Sequence, residues 1–183
     1  MRLLNPTMKF RIPTFNIYLL ALACLAPWGC QTDLKGKKPV ATLRLHLEVN
    51  RDGTDKNEPV PIFRENPIWI NVEKSPFLTE VDVVEAKVIE ELGGYSIQVR
   101  FERHGRLLLE NVSATNNQKH CAVFSQFPEP RWLGAPIFTR RISDGIIRFV
   151  PDATREEADH IVAGLNVVAK EVRKKIGKSW PDE

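Results

Sequence analysis

This sequence of 183 residues is poor in the features that define several large classes of protein. Its three cysteines are too few for a disulfide scaffold. It contains no internal repeat, and with 43% hydrophobic residues it lacks the polarity of a disordered chain. A chain of this length can bury a core without metals or disulfides, so the sequence predicts one globular domain.

The sequence also lacks the usual catalytic and ligand-binding motifs. No serine lies in a G-x-S-x-G elbow, and there is no H-E-x-x-H, no C-x-x-C and no glycine-rich phosphate loop. The histidines are far apart in the chain, at His46, His104, His120 and His160. We therefore predict no catalytic, cofactor-binding or metal-binding residue, although a cleft that gathered His104, His120 and several carboxylates would favour an enzyme.

Acidic residues are absent from the first 32 positions, and this absence explains the net charge of +3. Arg2, Lys9 and Arg11 supply the whole excess of basic residues, because the rest of the chain has 23 residues of each sign. A basic segment before a short apolar run is typical of a secretory signal peptide. The charge therefore indicates export, and no nucleic-acid partner is predicted.

The apolar run at positions 17–26 is too short to span a membrane and is followed by Gly29, Cys30 and Gln31. A cysteine after a small residue at this place resembles the cleavage site of bacterial lipoproteins. The resemblance implies a signal peptide over residues 1–29, with Cys30 as the new N-terminus and as the lipid attachment residue that carries palmitate. The protein would then be anchored in the bacterial cell envelope, on the extracytoplasmic side of a membrane.

Three alternatives to this cleavage remain open. Pro27 and Trp28 depart from the residues usual before a lipidated cysteine, and Cys24 is a second candidate for lipidation. Cleavage after the small residues at positions 21–23 would give simple secretion, and an uncleaved segment would be a membrane anchor. With the other two cysteines removed or acylated, Cys121 stands alone among apolar neighbours, and we expect a buried, inert thiol.

The remainder divides into a polar tether at residues 30–40, a single domain at 41–178 and a short tail at 179–183. In the domain, apolar and polar residues alternate from Thr42 to Asn50, which predicts a half-buried strand. Prolines near position 60 limit the following segment to short or edge elements. A further strand is predicted near residues 68–72.

Residues 84–101 carry the clearest local signal, two alternating runs on either side of Gly93-Gly94. With these glycines as a two-residue turn, Ala86 faces Phe101 and Val88 faces Val99, so that the apolar residues of both strands share a face. The spacing of valines over residues 81–92 also permits a helix, and this alternative remains open.

The C-terminal third completes the predicted fold. The sequence predicts a helix from Gly105 to Thr115 and strands at residues 120–127 and 146–150. Thr154 and Glu157 form a capping box that begins a long amphipathic helix. The sum is an α+β two-layer sandwich, with a mostly antiparallel sheet and two amphipathic helices on one face.

Several of these segments together resemble the head subdomain of the first periplasmic region of SecD, an accessory subunit of the bacterial protein translocase. The resemblance covers residues 76–168, about half the chain. It departs from SecD at residues 41–75, and no further transmembrane segment is present for the proton-coupled function. The segments that carry it are Phe77-Leu-Thr-Glu-Val-Asp-Val-Val-Glu-Ala86, Val99-Arg-Phe101, the glycine and helix from Gly105 to Thr115, Ala122-Val-Phe124, Ala135-Pro-Ile137, Ile142-Ser-Asp-Gly145 and Thr154-Arg-Glu-Glu-Ala158.

The resemblance implies a mobile, non-enzymatic module that contacts polypeptide. We expect a lipid-anchored envelope protein that binds an envelope protein or an unfolded chain. The expected contact residues are the aromatic Trp69, Phe127 and Trp132, near a loop at 128–130, because exposed aromatics are common anchors at interfaces. A structural or assembly component of the envelope is the alternative, and an enzyme with an unusual site is a more remote one.

Overall fold

The computed structural model describes residues 40–127 and 129–176. The predicted signal peptide, Cys24, Cys30, the tether up to residue 39, Pro128 and the C-terminal tail lie outside the described residues. Within them are nine strands, two α-helices and one short 3-10 helix. The strands are β1 Leu43–Leu47, β2 Asn57–Ile62, β3 Ile68–Glu73, β4 Leu78–Thr79, β5 Val83–Glu91, β6 Gly94–Phe101, β7 Cys121–Gln126, β8 Pro130–Gly134 and β9 Ile146–Phe149; the helices are the 3-10 helix Glu80–Asp82, α1 Arg103–Thr115 and α2 Arg155–Ile176.

The α+β class predicted from the sequence is confirmed, but the strands form three antiparallel sheets instead of one. The largest has the order β4-β1-β7-β8, a second has the order β5-β6-β9, and β2 and β3 form a separate hairpin. The segment at 81–92 is strand, so the helical alternative for it is wrong. The strands β2, β4 and β8 were not predicted, since prolines or short length conceal them in the sequence.

One main core joins the first two sheets and both helices. It contains the inward residues of β1 and β6, such as Leu43, Leu45 and Val99, together with Leu109 of α1 and Leu165 of α2. Cys121 is fully buried in this core, as the sequence predicts, and burial raises the pKa of its thiol.

Helix α2 begins at the predicted capping box, which the structure confirms. The Glu157 amide donates to the Thr154 hydroxyl at 3.2 Å, and the Thr154 amide donates to the Glu157 carboxylate at 2.8 Å. The helix then passes very close to the start of β1. A Cβ atom at Gly164 would lie 2.8 Å from the Ala41 Cβ, so this approach requires glycine.

The β5–β6 hairpin forms as predicted, but its predicted register is wrong by two residues. Ala86 pairs with Val99 and Val88 with Ile97, because the turn is Leu92-Gly93 and Gly94 already belongs to β6. Gly93 has φ of 88°, a conformation that glycine adopts without strain. A shift of two residues leaves each side chain on its predicted face.

Helix α2 also covers the outer edge of β5. The Ala86 amide donates to Asn166 Oδ1 at 2.9 Å, and Asn166 Nδ2 donates to the Ala86 carbonyl at 3.0 Å. About two helical turns further along α2, the Arg173 guanidinium donates to the Val84 carbonyl. These side chains occupy the positions that a neighbouring strand would otherwise take.

Among the helices in the described ranges 40–127 and 129–176, none combines the length and the apolar character that a membrane span requires.

Candidate functional site: the exposed face of the β2–β3 hairpin

The β2–β3 hairpin covers the outer face of the largest sheet and creates a second, smaller core. Val60 and Ile62 of β2 and Ile70 and Val72 of β3 are buried there against Ala122 of β7. The main chain also joins β3 to the end of β1, since the Val49 amide donates to the Asn71 carbonyl at 2.9 Å. The hairpin is therefore held by packing and by hydrogen bonds.

This cover determines the environment of His46, which lies on the polar face of β1 by the alternation of that strand. The hairpin packs over this face and leaves His46 only 7% exposed. Its Nδ1–H donates to the Glu73 carbonyl at 2.8 Å. The centroid of its ring lies 5.1 Å from that of the Trp132 ring, in a T-shaped arrangement. Burial lowers the pKa of His46, since the protonated ring would lose its hydration.

The outward face of the same hairpin presents Trp69, one of the three predicted contact residues. Alternation along β3 turns Ile70 and Val72 into the second core and leaves Trp69 on the opposite face, 65% exposed. Pro61 of β2 lies directly opposite Trp69 and is also exposed.

At the end of the hairpin, Ile68 is 55% exposed and Phe63 is 38% exposed. Ile68 is paired with the buried Ile62 and lies on the core side of the hairpin, so we call only Pro61 and Trp69, which share the outward face, the hairpin apolar surface. Large exposed apolar groups that lie together are typical of interaction sites, whereas single ones are ordinary.

The loop between β2 and β3 is held by hydrogen bonds and ion pairs to the segment before α2 and to the first turn of α2. The Arg64 amide donates to Asp152 Oδ2 at 2.9 Å, and Arg64 Nε donates to the same oxygen at 3.2 Å. The guanidinium also lies 3.7 Å from the Glu157 carboxylate. Exposed ion pairs stabilise proteins only slightly, but the three contacts orient the loop relative to α2.

The other two predicted contact residues are more enclosed than Trp69. Trp132 lies in β8, where its ring meets Phe124 at 5.2 Å and packs against the second core. Phe127 follows β7 and packs against the main core, with its ring 6.1 Å from that of His160. A contact role for Trp132 and Phe127 stays a prediction, and the structure gives each of them a packing role.

Pro61 was not among the contact residues predicted from the sequence. A signal for Pro61 was present, because the alternation that predicts β3 also places Trp69 outward and leaves room for a cross-strand neighbour. The neighbour could not be named while β2 itself was not predicted.

The titratable groups of the described residues form small, separate clusters. Asp82, Glu102 and His104 have ligand atoms within 4.8 Å of one another. His104 Nδ1–H donates to Asp82 Oδ1 at 3.0 Å, and this bond raises the pKa of the exposed histidine. Such a cluster at the start of α1 is an ordinary ion pair and carries no assignment on its own.

His120 has a different carboxylate partner. Its Nδ1–H and its amide both donate to Glu48 Oε2, at 2.6 Å and 2.8 Å, and these bonds lower the pKa of Glu48 although partial burial opposes them. A cavity of about 460 Å³ beside β9 is lined by residues between 137 and 148 and by neither His104 nor His120. This cavity therefore does not gather the two histidines.

Comparison with known proteins shows what this fold resembles. No protein-family model and no curated protein sequence matches the chain. Among solved structures, the chain is similar to SecDF, a membrane component that enhances protein export, with a TM-score of 0.51 and 18% identity over 70% of this chain and 63% of that one. It is also similar to SecDF in a super-membrane-facing form, with a TM-score of 0.50 and 20% identity over 69% of this chain and 18% of that one.

These similarities confirm, for the fold, the resemblance to the SecD head found in the sequence. The chain spans less than two thirds of the length of either SecDF structure, and it shares no more than 20% of its residues with them. The comparison therefore establishes the fold as that of a SecDF region, and a shared fold does not by itself determine the function.

Proposed function

We propose that this protein is an exported, lipid-anchored envelope module that binds polypeptide without catalysis. The hairpin apolar surface carries the proposal, since it places Trp69 and Pro61 on one exposed face above a well-packed second core. The shared fold supports it, because SecDF is a component that enhances protein export. The anchor follows from the predicted lipidation of Cys30.

Contact at the hairpin apolar surface can supply useful binding free energy. A tryptophan side chain buries up to about 250 Å² on contact, and about 65% of Trp69 is still available. At about 25 cal/mol per Å², covering it contributes roughly 4 kcal/mol before the entropic cost of association is subtracted. A single anchor of this size suits weak, reversible capture of a chain.

A non-catalytic role agrees with the titratable groups in the described residues. The single cysteine there, Cys121, is buried with a raised pKa, so it has no nucleophilic thiolate. His104 and His120 are each held by a separate carboxylate, with Asp82 and Glu48 as the partners. In these two contacts the partner of each histidine is a carboxylate and not a hydroxyl or thiol nucleophile.

The polypeptide-binding proposal is tested by titrating the protein into a fluorescently labelled, permanently unfolded protein and following anisotropy. We expect saturable binding that Trp69→Ala weakens by roughly tenfold or more, because a central aromatic anchor is removed. Leu107→Ala is the matched control, since Leu107 is 54% exposed on α1, away from the hairpin. Equal affinity for all three proteins, or no binding by the parent, would refute the assignment.

The anchor is tested separately in cells that express the full chain and are labelled with radioactive palmitate. Label is expected on the parent and on Cys24→Ser, and it should be absent from Cys30→Ser. Label that survives Cys30→Ser and disappears in Cys24→Ser would move the anchor to Cys24. Absence of label from all three would leave an unlipidated protein.

A further inference from the structure

The register of the β5-β6-β9 sheet determines which main-chain groups of β9 point away from it. The Phe101 amide donates to the Gly145 carbonyl at 2.9 Å, and the β6–β9 pairing continues this register through Val99 with Ile147. Hydrogen-bonded pairs alternate with non-bonded ones in an antiparallel ladder. The N–H and C=O of Arg148 therefore point outward from the free side of β9.

The neighbouring outward group confirms this geometry. The Ile146 amide also points away from β6, and it donates to the Asp144 carboxylate at 3.0 Å. Within the described residues, the outward N–H and C=O of Arg148 have no corresponding main-chain or side-chain partner. This part of the β9 edge is open.

The edges of β5 and β8 have partners at several or single positions. The edge of β5 is covered by Asn166 and Arg173, whose side chains bind the outward groups of Ala86 and Val84. At β8, the Leu133 carbonyl accepts a hydrogen bond from the Asp152 amide at 2.6 Å.

The outer edge of β2 carries two prolines. The Lys74 amide donates to the Lys56 carbonyl, and by the same alternation Pro59 and Pro61 place their missing N–H groups on the outer side of β2. Proteins commonly block their edges in these ways, and the open edge of β9 differs in this respect from the edges of β5, β8 and β2.

A groove lies next to the open edge. It has a volume of about 460 Å³ and runs between the segment 137–144 and the side chains of Ile146 and Arg148. Arg140, Arg141 and Arg148 line it together with the single acid Asp144, and Arg141 is paired with Glu110, so the lining carries an excess of positive charge. Arg148 is bonded to the neutral Gln98, at 2.7 Å, so its charge is not neutralised by that contact.

We propose that the β9 edge and this groove bind an extended, acidic segment of a polypeptide by adding it to the sheet as a fourth strand. The strand of four residues matches a short peptide, whose main chain would pair with the outward N–H and C=O of Arg148. An acidic side chain of that peptide would lie beside the Arg148 guanidinium. This inference rests on the proposed polypeptide-binding function and adds a second, separate contact to it.

Peptides of ten residues provide the test without any change to the protein. One peptide alternates threonine and valine and includes two glutamates, a second carries lysines in place of the glutamates, and a third is the acidic peptide with every second amide N-methylated. We expect the acidic peptide to bind, the lysine peptide to bind at least roughly fivefold more weakly, and the methylated peptide to lose binding because it cannot complete the ladder. Equal binding by the acidic and methylated peptides would overturn strand addition.

Two variants and one exchange measurement locate the contact. Arg148→Glu should weaken the acidic peptide by roughly tenfold, whereas Arg51→Glu, an exposed arginine in the loop before β2, is the matched control and should leave it unchanged. Hydrogen exchange should slow at residues 146–149 when the acidic peptide is present and should not change in β5. No slowing of exchange at β9 would overturn the proposal. Unchanged affinity of the Arg148→Glu protein for the acidic peptide would overturn it as well.

The outcomes separate this inference from the proposed function. If the unfolded probe binds and depends on Trp69, but the acidic peptide does not bind or leaves the β9 exchange unchanged, the β9 inference fails and the function stands. If neither the probe nor any peptide binds, both fail. A dimer that forms through β9 and competes with the peptide would identify a second copy of this chain as the occupant and would overturn the proposal.

Discussion

The two hydrogen bonds between the Asn166 side chain and the main chain of Ala86 allow a test of how this fold protects the outer edge of β5. Asn166→Leu keeps the approximate size of the side chain and removes both its hydrogen bonds to Ala86, which is only 2% exposed. The amide and the carbonyl of Ala86 would then face an apolar side chain, with no replacement partner from α2. The substitution should therefore destabilise the domain.

The magnitude follows from the two hydrogen bonds. A buried polar group left without a partner costs about 1–3 kcal/mol, and water can partly reach a sheet edge, so we expect about 2–4 kcal/mol in total. For a domain of this size, each kcal/mol lowers the melting temperature by about 4 °C. The loss should also favour self-association, because an unprotected strand edge pairs readily with another chain.

Urea unfolding followed by circular dichroism, with sedimentation to measure self-association, provides the assay. Asn111→Leu is the matched control, since Asn111 is exposed on α1. It should change the free energy of unfolding by less than about 0.5 kcal/mol. If Asn166→Leu is as stable as this control, the two hydrogen bonds do not hold the β5 edge and the reasoning is wrong.

Two further predictions concern the cores. Gly164→Ala should destabilise the domain by about 1–3 kcal/mol in urea unfolding, because the new methyl group would meet Ala41 at 2.8 Å, and a stability equal to the parent would contradict this packing. For His46, the folded pKa lies below the ordinary value of 6.5, so its contribution to stability is present above about pH 6.5 and is lost as the pH falls towards the folded pKa. The free energy of unfolding should therefore decrease more steeply below pH 6.5 in the parent than in His46→Gln, and identical slopes would refute the assignment to His46.

Local pattern predicted several elements of the fold correctly. The alternation in β1, the capping box at Thr154 and the shared apolar face of the β5–β6 hairpin all depend on neighbouring residues, so a single sequence contains them. The register of that hairpin does not follow from the pattern, because a shift of two residues preserves every face. The two registers differ in whether Gly94 belongs to the turn or to β6, and Gly93 lies in the turn of both.

The rest depends on contacts between distant parts of the chain. Pro59 and Pro61 argued against a strand at β2, and they are tolerated there because their nitrogen atoms face away from β3. The burial of His46 follows from the hairpin that covers it, and the open edge of β9 follows from the order of strands in the sheet. Neither can be read from the sequence around the residue concerned.

The close contact between Gly164 and Ala41 also determines how the domain would bear a mechanical load. A pull on the chain from the N-terminal side enters at Ala41 and is passed to β1, which is hydrogen-bonded to β4 on one side and to β7 on the other. A force along β1 loads these bonds in shear, so that several must break at once, and the helix packed on Ala41 must move as well. A domain built in this way resists unfolding when it is pulled from its N-terminal side.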